Sequence, residues 1–104
     1  MDLRELHERL RKSPLSHPTR LALMTLLVAR HSLEYNEAVK ALGVTPGSLW
    51  GHVKMLEKRG LLETRYKLTR SGPRLELRVT DRGIRETLEV LRLLQRLAEE
   101  LGEE

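Results

Sequence analysis

No cysteine occurs anywhere in the 104 residues. That excludes disulfides, thiolate metal sites and cysteine redox sensing. Phenylalanine is absent too, and the aromatics come down to one Trp and two Tyr. The core must therefore be aliphatic, mostly Leu and Val, and so small a core leaves little material to wall a large ligand pocket. No apolar run approaches the roughly 18 residues of a membrane span. The first residues, Met1-Asp2-Leu3-Arg4-Glu5, carry early acids and no apolar stretch, so no secretory signal is expected and the expected compartment is the cytoplasm. The four histidines, at 7, 17, 31 and 52, show no paired ligand spacing, so neither a metal nor a cofactor is expected. A Gly-rich phosphate loop, an HExxH and a placeable carboxylate pair are all missing, which argues against an enzyme.

What is present is basic charge in one place. The net charge is +4, but residues 1–39 carry +1, residues 40–82 carry +6 and residues 83–104 carry −3. A basic middle and an acidic tail are expected when one surface faces phosphate and another does not.

The basic third contains the stretch around which the chain is organised, Val44 to Leu61. Thr45 is a good N-cap and Pro46 suits the first helical position. Leu49, Val53 and Leu56 share one buried face. Gly60 ends the helix, with Lys58 and Arg59 in the last turn where the helix dipole favours cations. Gly51 is out of place, because mid-helix glycine costs about 1 kcal/mol relative to alanine. It marks either close packing against another helix or a helix that sits deep against a DNA groove.

Length predicts a single domain over 1–104. A short amphipathic helix over 2–12 places Leu3, Leu6 and Leu10 on one stripe. Pro14 and Pro18 break the chain. A core helix follows over 18–30, with Leu21, Met24, Leu27 and Val28 inward and Leu23 and Leu26 flanking. Leu33-Glu34-Tyr35 alternates as a very short strand. Asn36 is the expected cap of a helix over 37–42, and Gly43 provides the turn into the 45–59 helix. After Gly60 the period changes to two. Leu62, Thr64, Tyr66 and Leu68, then Leu75, Leu77 and Val79, predict a β-hairpin with one apolar and one charged face, joined by a turn over 69–74. Thr80 or Asp81 caps a last helix over about 82–101. There Ile84, Leu88, Leu91, Leu94, Ala98 and Leu101 run along one side, and Val90, Leu93 and Leu97 widen the stripe. That excess width suggests a partner helix, most simply that of a second subunit. Gly102-Glu103-Glu104 reads as a frayed acidic end. The fold class is mainly α with a small β-hairpin wing (α+β): a winged helix-turn-helix core over 18–80 with a terminal dimerisation helix over 81–101.

Three motifs carry a family resemblance. His17-Pro18-Thr19-Arg20-Leu21-Ala22-Leu23 resembles the D-P-x-R-x-x-I/L start of ArsR-type regulators. Gly51-His52-Val53-Lys54-Met55-Leu56-Glu57-Lys58-Arg59-Gly60-Leu61-Leu62 resembles the H-L-x-x-L-x-x-x-G-L-V run shared by ArsR- and MarR-type regulators. Val79-Thr80-Asp81-Arg82-Gly83 resembles the L-T-x-x-G that joins wing to last helix in MarR proteins. The resemblance covers about residues 15–95. It implies a homodimeric, sequence-specific regulator of transcription, read as a repressor, with double-stranded DNA as partner and no membrane. The cysteines of ArsR metal sensors are lacking, and no convergent polar set marks an effector pocket.

On that reading the DNA-binding candidates on the recognition helix are Thr45, Pro46, Gly47, Ser48, Trp50, Gly51, His52, Lys54 and Lys58, set in the major groove where base edges are distinguishable. Trp50 either covers the helix-turn-helix core or touches the sugar-phosphate backbone. Arg65, Lys67, Arg70, Arg74 and Arg78 are the wing candidates, Arg70 and Arg74 first, on backbone or minor groove. The candidate dimer interface is Leu3, Leu6, Leu10, Ile84, Leu88, Leu91, Leu94, Ala98 and Leu101. The rival readings are a protein-interaction module and a non-specific nucleic-acid binder on the same scaffold.

Overall fold

The computed structural model describes residues 2–102, so the acidic end at Glu103 and Glu104 lies outside the described residues. The elements run α1 (Leu3–Lys12), α2 (Pro18–Arg30), β1 (Ser32–Glu34), α3 (Tyr35–Leu42), α4 (Pro46–Lys58), β2 (Leu62–Thr69), β3 (Gly72–Val79) and α5 (Asp81–Glu100). No helix among the described residues is long and apolar enough to cross a membrane.

Local chemistry explains most of the boundaries. The Asp2 carboxylate caps α1 by accepting from Glu5 N–H at 2.8 Å. His17 caps α2, its Nδ1 accepting from Thr19 N–H at 3.2 Å, with Pro18 in the first turn. The α3 helix begins earlier than expected, at Tyr35, and Glu34 rather than Asn36 stands at its cap. Glu34 is already extended as the last residue of β1, and Glu37 reaches back to accept from its N–H at 3.2 Å. That is half of a capping-box exchange and leaves Asn36 nothing to cap.

The core is one cluster of Leu15, Leu23, Met24, Leu27, Leu33, Ala38, Leu49, Val53, Leu56, Leu61, Leu62, Leu77, Val79 and Val90. Leu23, expected at the flank of α2, is fully buried, while Leu21 and Val28 are half-buried. The helix is packed from several sides, by α3, α4, α5 and β3, so its buried arc is not the one a single stripe predicts.

The sheet has three antiparallel strands in the order β1-β3-β2. Its hairpin turn is shorter than the expected six residues: Thr69 pairs with Gly72 and Leu68 with Pro73, which leaves Arg70 and Ser71 at the tip. Thr69 closes the turn, its hydroxyl donating to Gly72 O at 2.7 Å and accepting from Ser71 N–H at 3.2 Å. Gly72 takes φ +104, a region open to glycine. The apolar face of the hairpin is real but only its base is covered. Leu62 and Leu77 are buried, whereas Tyr66 is 74 % and Leu68 85 % exposed, because the wing extends past the core.

In α5 the inward face is Gly83, Thr87, Val90 and Leu93. Val90 and Leu93, expected to widen the stripe, are therefore its protomer-core part. Thr87 is buried with its hydroxyl donated to Gly83 O at 2.7 Å, so it carries no unsatisfied polar group. Gly83 itself is where α5 meets the backbone after α4: a Cβ there would overlap the Leu61 carbonyl oxygen and stand 3.0 Å from Met24 Cε. Relief requires backbone movement, so Gly83→Ala is expected to cost at least about 2 kcal/mol. Urea or thermal unfolding measures it, and an unchanged midpoint would refute the close approach.

Candidate nucleic-acid interface

The helix-turn-helix is α3, a tight turn and α4. Gly43 stands in the left-handed region at φ +66, and Val44 N–H returns to Val39 O at 3.3 Å. Thr45 then caps α4, its hydroxyl accepting from Ser48 N–H at 3.2 Å, and Pro46 takes the first turn. Leu49, Val53 and Leu56 are buried as the spacing requires. Gly60 at φ +77 closes the helix.

Residues 47, 51, 54 and 58 recur at i, i+4, i+7 and i+11, so they form the stripe opposite the buried one. That stripe is Gly47, Gly51, Lys54 and Lys58, all exposed. A Cβ added at Gly47 or Gly51 would meet nothing within 4 Å. This removes the helix-packing reading of Gly51: no neighbour requires the glycine. Thr45, Pro46 and Ser48 are also exposed, at the start of the helix. Trp50 does not cover the core; it is 41 % exposed, edge-on to Tyr35 with ring centroids 5.8 Å apart, and Lys54 Nζ lies 5.0 Å from its ring centroid. The Tyr35 hydroxyl donates to Pro46 O, so α3 buttresses the entry to α4. His52 lies on the flank, its ring 4.4 Å from that of His17 at the start of α2.

The seven candidate cations divide into two sets. Lys54 pairs with Glu57 at 2.8 Å. Arg65 and Arg78 both reach the Glu76 carboxylate, at 2.9 and 3.6 Å. Glu76 is thereby buried under its partners on the charged face of the sheet, and the Arg65 hydrogen bond holds its carboxyl below the ordinary range. Lys58, Lys67, Arg70 and Arg74 make no ion pair among the described residues. The unpaired set occupies the end of α4 and the outer half of the wing.

Glu57 was missed by the sequence reading, although its i, i+3 spacing from Lys54 was visible. Its other oxygen accepts from both Thr64 N–H, at 3.2 Å, and Thr64 Oγ1, at 2.5 Å. One carboxylate thus ties recognition helix to wing. Glu76 was missed because it alternates like any solvent-facing strand residue.

The proposed dimer residues fall into three groups. Leu6 is buried in its own protomer and Leu10 is half-buried. Ile84, Leu88 and Leu91 are half-buried, while Leu3, Leu94, Ala98 and Leu101 are exposed. Ion pairing of Arg9 with Glu89, and donation from Ser13 Oγ to Glu86 at 2.8 Å, bind α1 to α5 within the chain. Among the described residues no group of three or more His, Cys, Asp or Glu is placed to hold a metal ion.

Comparison with known proteins agrees with this geometry. The family described as "Winged helix DNA-binding domain" matches residues 19–98. The structure of a transcriptional regulator homologue from Pyrococcus horikoshii OT3 is 32 % identical, with a TM-score of 0.87 over 93 % of this chain and 97 % of that one. YusO of Bacillus subtilis shares the fold at 20 % identity and a TM-score of 0.74, over 95 % of this chain and 74 % of that one. MepR, a transcription regulator of the Staphylococcus aureus efflux pump MepA, does so at 18 % and 0.67, over 80 % of this chain and 61 % of that one. No curated protein matches in sequence.

The Lys54 and Thr64 hydrogen bonds hold the Glu57 carboxyl below its ordinary value of 4.5. A depressed carboxyl stabilises the fold above its unfolded value, and that contribution is lost as pH falls through the folded value. The melting temperature of Glu57→Gln is therefore expected to lie below that of the parent at pH 7, with the gap closing as the pH drops below 4.5. A gap independent of pH would refute the carboxylate tie.

Proposed function

The chain belongs to the winged helix DNA-binding domain family, and from that premise we propose that it is a homodimeric, sequence-specific regulator of transcription that binds double-stranded DNA and acts as a repressor by occupying its site. The α4 helix enters the major groove. The wing lies on the neighbouring backbone and minor groove, where negative potential favours Arg70 and Arg74. Thr45, Ser48 and Lys58 supply polar contacts on the recognition helix, and most of the cations position the protein rather than read sequence.

The observation that carries this reading is the pair of glycines, beside two lysines, on the outward stripe of α4. Gly51, in the interior of an exposed helix, costs about 1 kcal/mol relative to alanine. No neighbour within the chain explains Gly47 or Gly51. A helix pressed against the floor of a groove does explain them, since glycine is the residue used where a backbone approaches a ligand closely.

Fluorescence anisotropy on the DNA upstream of the protein's own gene, against a scrambled duplex over a range of salt, tests the reading. Tight, selective binding with a negative salt slope is expected. Gly51→Ala separates groove contact from folding: stability rises by about 1 kcal/mol, the melting temperature by about 4–8 °C, and DNA affinity falls. Arg70→Ala with Arg74→Ala weakens binding with an unaltered melting temperature. A Gly51→Ala protein that binds as well as the parent would defeat the groove assignment, and absence of binding at low salt would favour a protein-interaction module.

The dimer rests on α5. Leu94, Ala98 and Leu101 recur at i, i+4 and i+7 and are exposed, Leu101 by 75 %. A second copy of the same helix covers such a stripe in a closed two-fold arrangement. Leu94→Glu is expected to sediment as a monomer while keeping its helical circular dichroism; a monomeric parent protein would sink the dimer.

A further inference from the structure

The α2 N-terminus and the flank of α4 bring together His17, Arg20 and His52, three groups that can donate hydrogen bonds to an anion. The His rings are 4.4 Å apart, with their planes 45° from one another. Arg20 follows His17 by three residues, about one turn along on the same side of α2, and its charge acts on His52. Its Nε is buried and has no hydrogen-bond partner in the protein. Among the described residues no carboxylate pairs with any of the three. A half-buried guanidinium with an orphaned N–H and no counter-ion is costly, unless an acceptor arrives from outside.

We propose that His17, Arg20 and His52 form a contact for one backbone phosphate of double-stranded DNA, at the edge of the groove that α4 occupies. The inference rests on the DNA-binding reading above and extends it to α2. Arg20 supplies the fixed charge and the geometry matched to phosphate oxygens. His17 keeps its Nδ1 lone pair for Thr19 N–H, at 3.2 Å. Its hydrogen therefore sits on Nε2, so the same ring caps α2 and presents a donor. His52 supplies the third donor and faces the phosphate from the recognition helix itself. Its flank position, against the tilted ring of His17, assigns it to backbone rather than to a base edge.

The site has a titration signature. Burial first, then His17 and Arg20, hold His52 below its ordinary value of 6.5 in the free protein. The groups acting on it are His17, the cap of α2, and Arg20 in its first turn; α3 and β2 also pack on α4, and among the described residues they bring no charge to bear on the ring. A bound phosphate offsets that repulsion and raises the His52 pKa, so DNA binding takes up a proton. Affinity must then rise as pH falls from 8 towards 6, by up to about tenfold for each unit by which the pKa is raised.

The test compares the parent, Arg20→Gln and His52→Gln on one duplex and its scramble. Arg20→Gln is expected to weaken both duplexes by a similar factor, about fivefold to tenfold at low salt, and to flatten the slope of log K against log salt by about one. Its melting temperature should not fall, because the guanidinium has no partner to lose and its orphaned N–H is removed. Arg20→Lys, which keeps the charge without the fork, should recover part of the affinity and serves if the Gln variant folds poorly. His52→Gln is expected to abolish the pH dependence of binding. Independently of DNA, the His52 ring is followed by NMR during titration with inorganic phosphate: its pKa should rise in the parent and not in Arg20→Gln. An unmoved His52 resonance overturns the site even if DNA binds elsewhere. A phosphate response combined with unchanged DNA affinity and salt slope in Arg20→Gln also overturns it, leaving a free-anion site. Failure of the parent to bind any duplex, with the phosphate response intact, sinks the DNA reading and the backbone assignment together.

Discussion

Three elements meet at one small junction, and their mutual orientation depends on it. The Thr80 hydroxyl donates to Gly60 O at 2.7 Å and accepts from Gly83 N–H at 3.0 Å, while Thr80 N–H reaches Leu61 O at 3.2 Å. The end of the recognition helix, the base of the wing and the start of α5 are therefore joined through one side chain and two glycines. Each hydrogen bond contributes only about 1 kcal/mol net, so the bonds alone do not make the junction rigid. What does is the absence of a Cβ at Gly83, which lets α5 press on the Leu61 carbonyl, with Leu61 and Leu62 buried beside it. A rotation of α5 cannot leave α4 and wing behind. In the proposed dimer, whatever sets the spacing of the two α5 helices would also set the spacing of the two recognition helices.

Charge on the basic surface is organised by two carboxylates. Glu57 spans from Lys54 to Thr64 and so connects α4 to the wing, and Glu76 gathers Arg65 and Arg78 on the sheet. These cations are structural first: to grip a phosphate they would have to release a partner. The unpaired cations, Lys58, Lys67, Arg70 and Arg74, lie farther out, where no such exchange is needed. A count of basic residues in the sequence overstates the electrostatic footprint, because it cannot separate the two sets.

The sequence was most legible where a pattern is local and periodic. The limits of α2 and α4, the cap at Thr45, the stop at Gly60 and the period-two hairpin all follow from nearest-neighbour chemistry. It was less legible where a residue answers to two elements at once. Glu34 ends a strand and opens a helix, so Asn36 lost the cap. Thr69 folded a two-residue turn out of six turn-like residues. In α5 both sides of a wide apolar stripe looked alike, and only the position of Gly83 against Leu61 decides that Val90 and Leu93 face inward. The approach of His17 to His52 spans 35 positions with no local signal, and the HTH candidates drawn from one helix could not include a residue on α2.

The features that weaken the isolated chain share a direction. Gly47 and Gly51 lower the stability of α4 on its outward stripe, Tyr66 and Leu68 leave apolar surface bare on the wing, and Leu94 and Leu101 do so on α5. A domain of about this length buries a modest fraction of its surface and has little stability in reserve. Scattered exposed apolar residues carry no message, but apart from Leu3 on α1 these lie on the recognition helix, the wing and the last helix. The same chain that places Leu49, Val53 and Leu56 on the buried face sets two glycines and two lysines on the opposite stripe of that helix. Conflicts between local preference and global fold are expected where a sequence also answers to a complex, and Gly51 on the outward stripe of α4 and Leu94 and Leu101 on α5 are conflicts of that kind under the proposed DNA-binding and dimer reading.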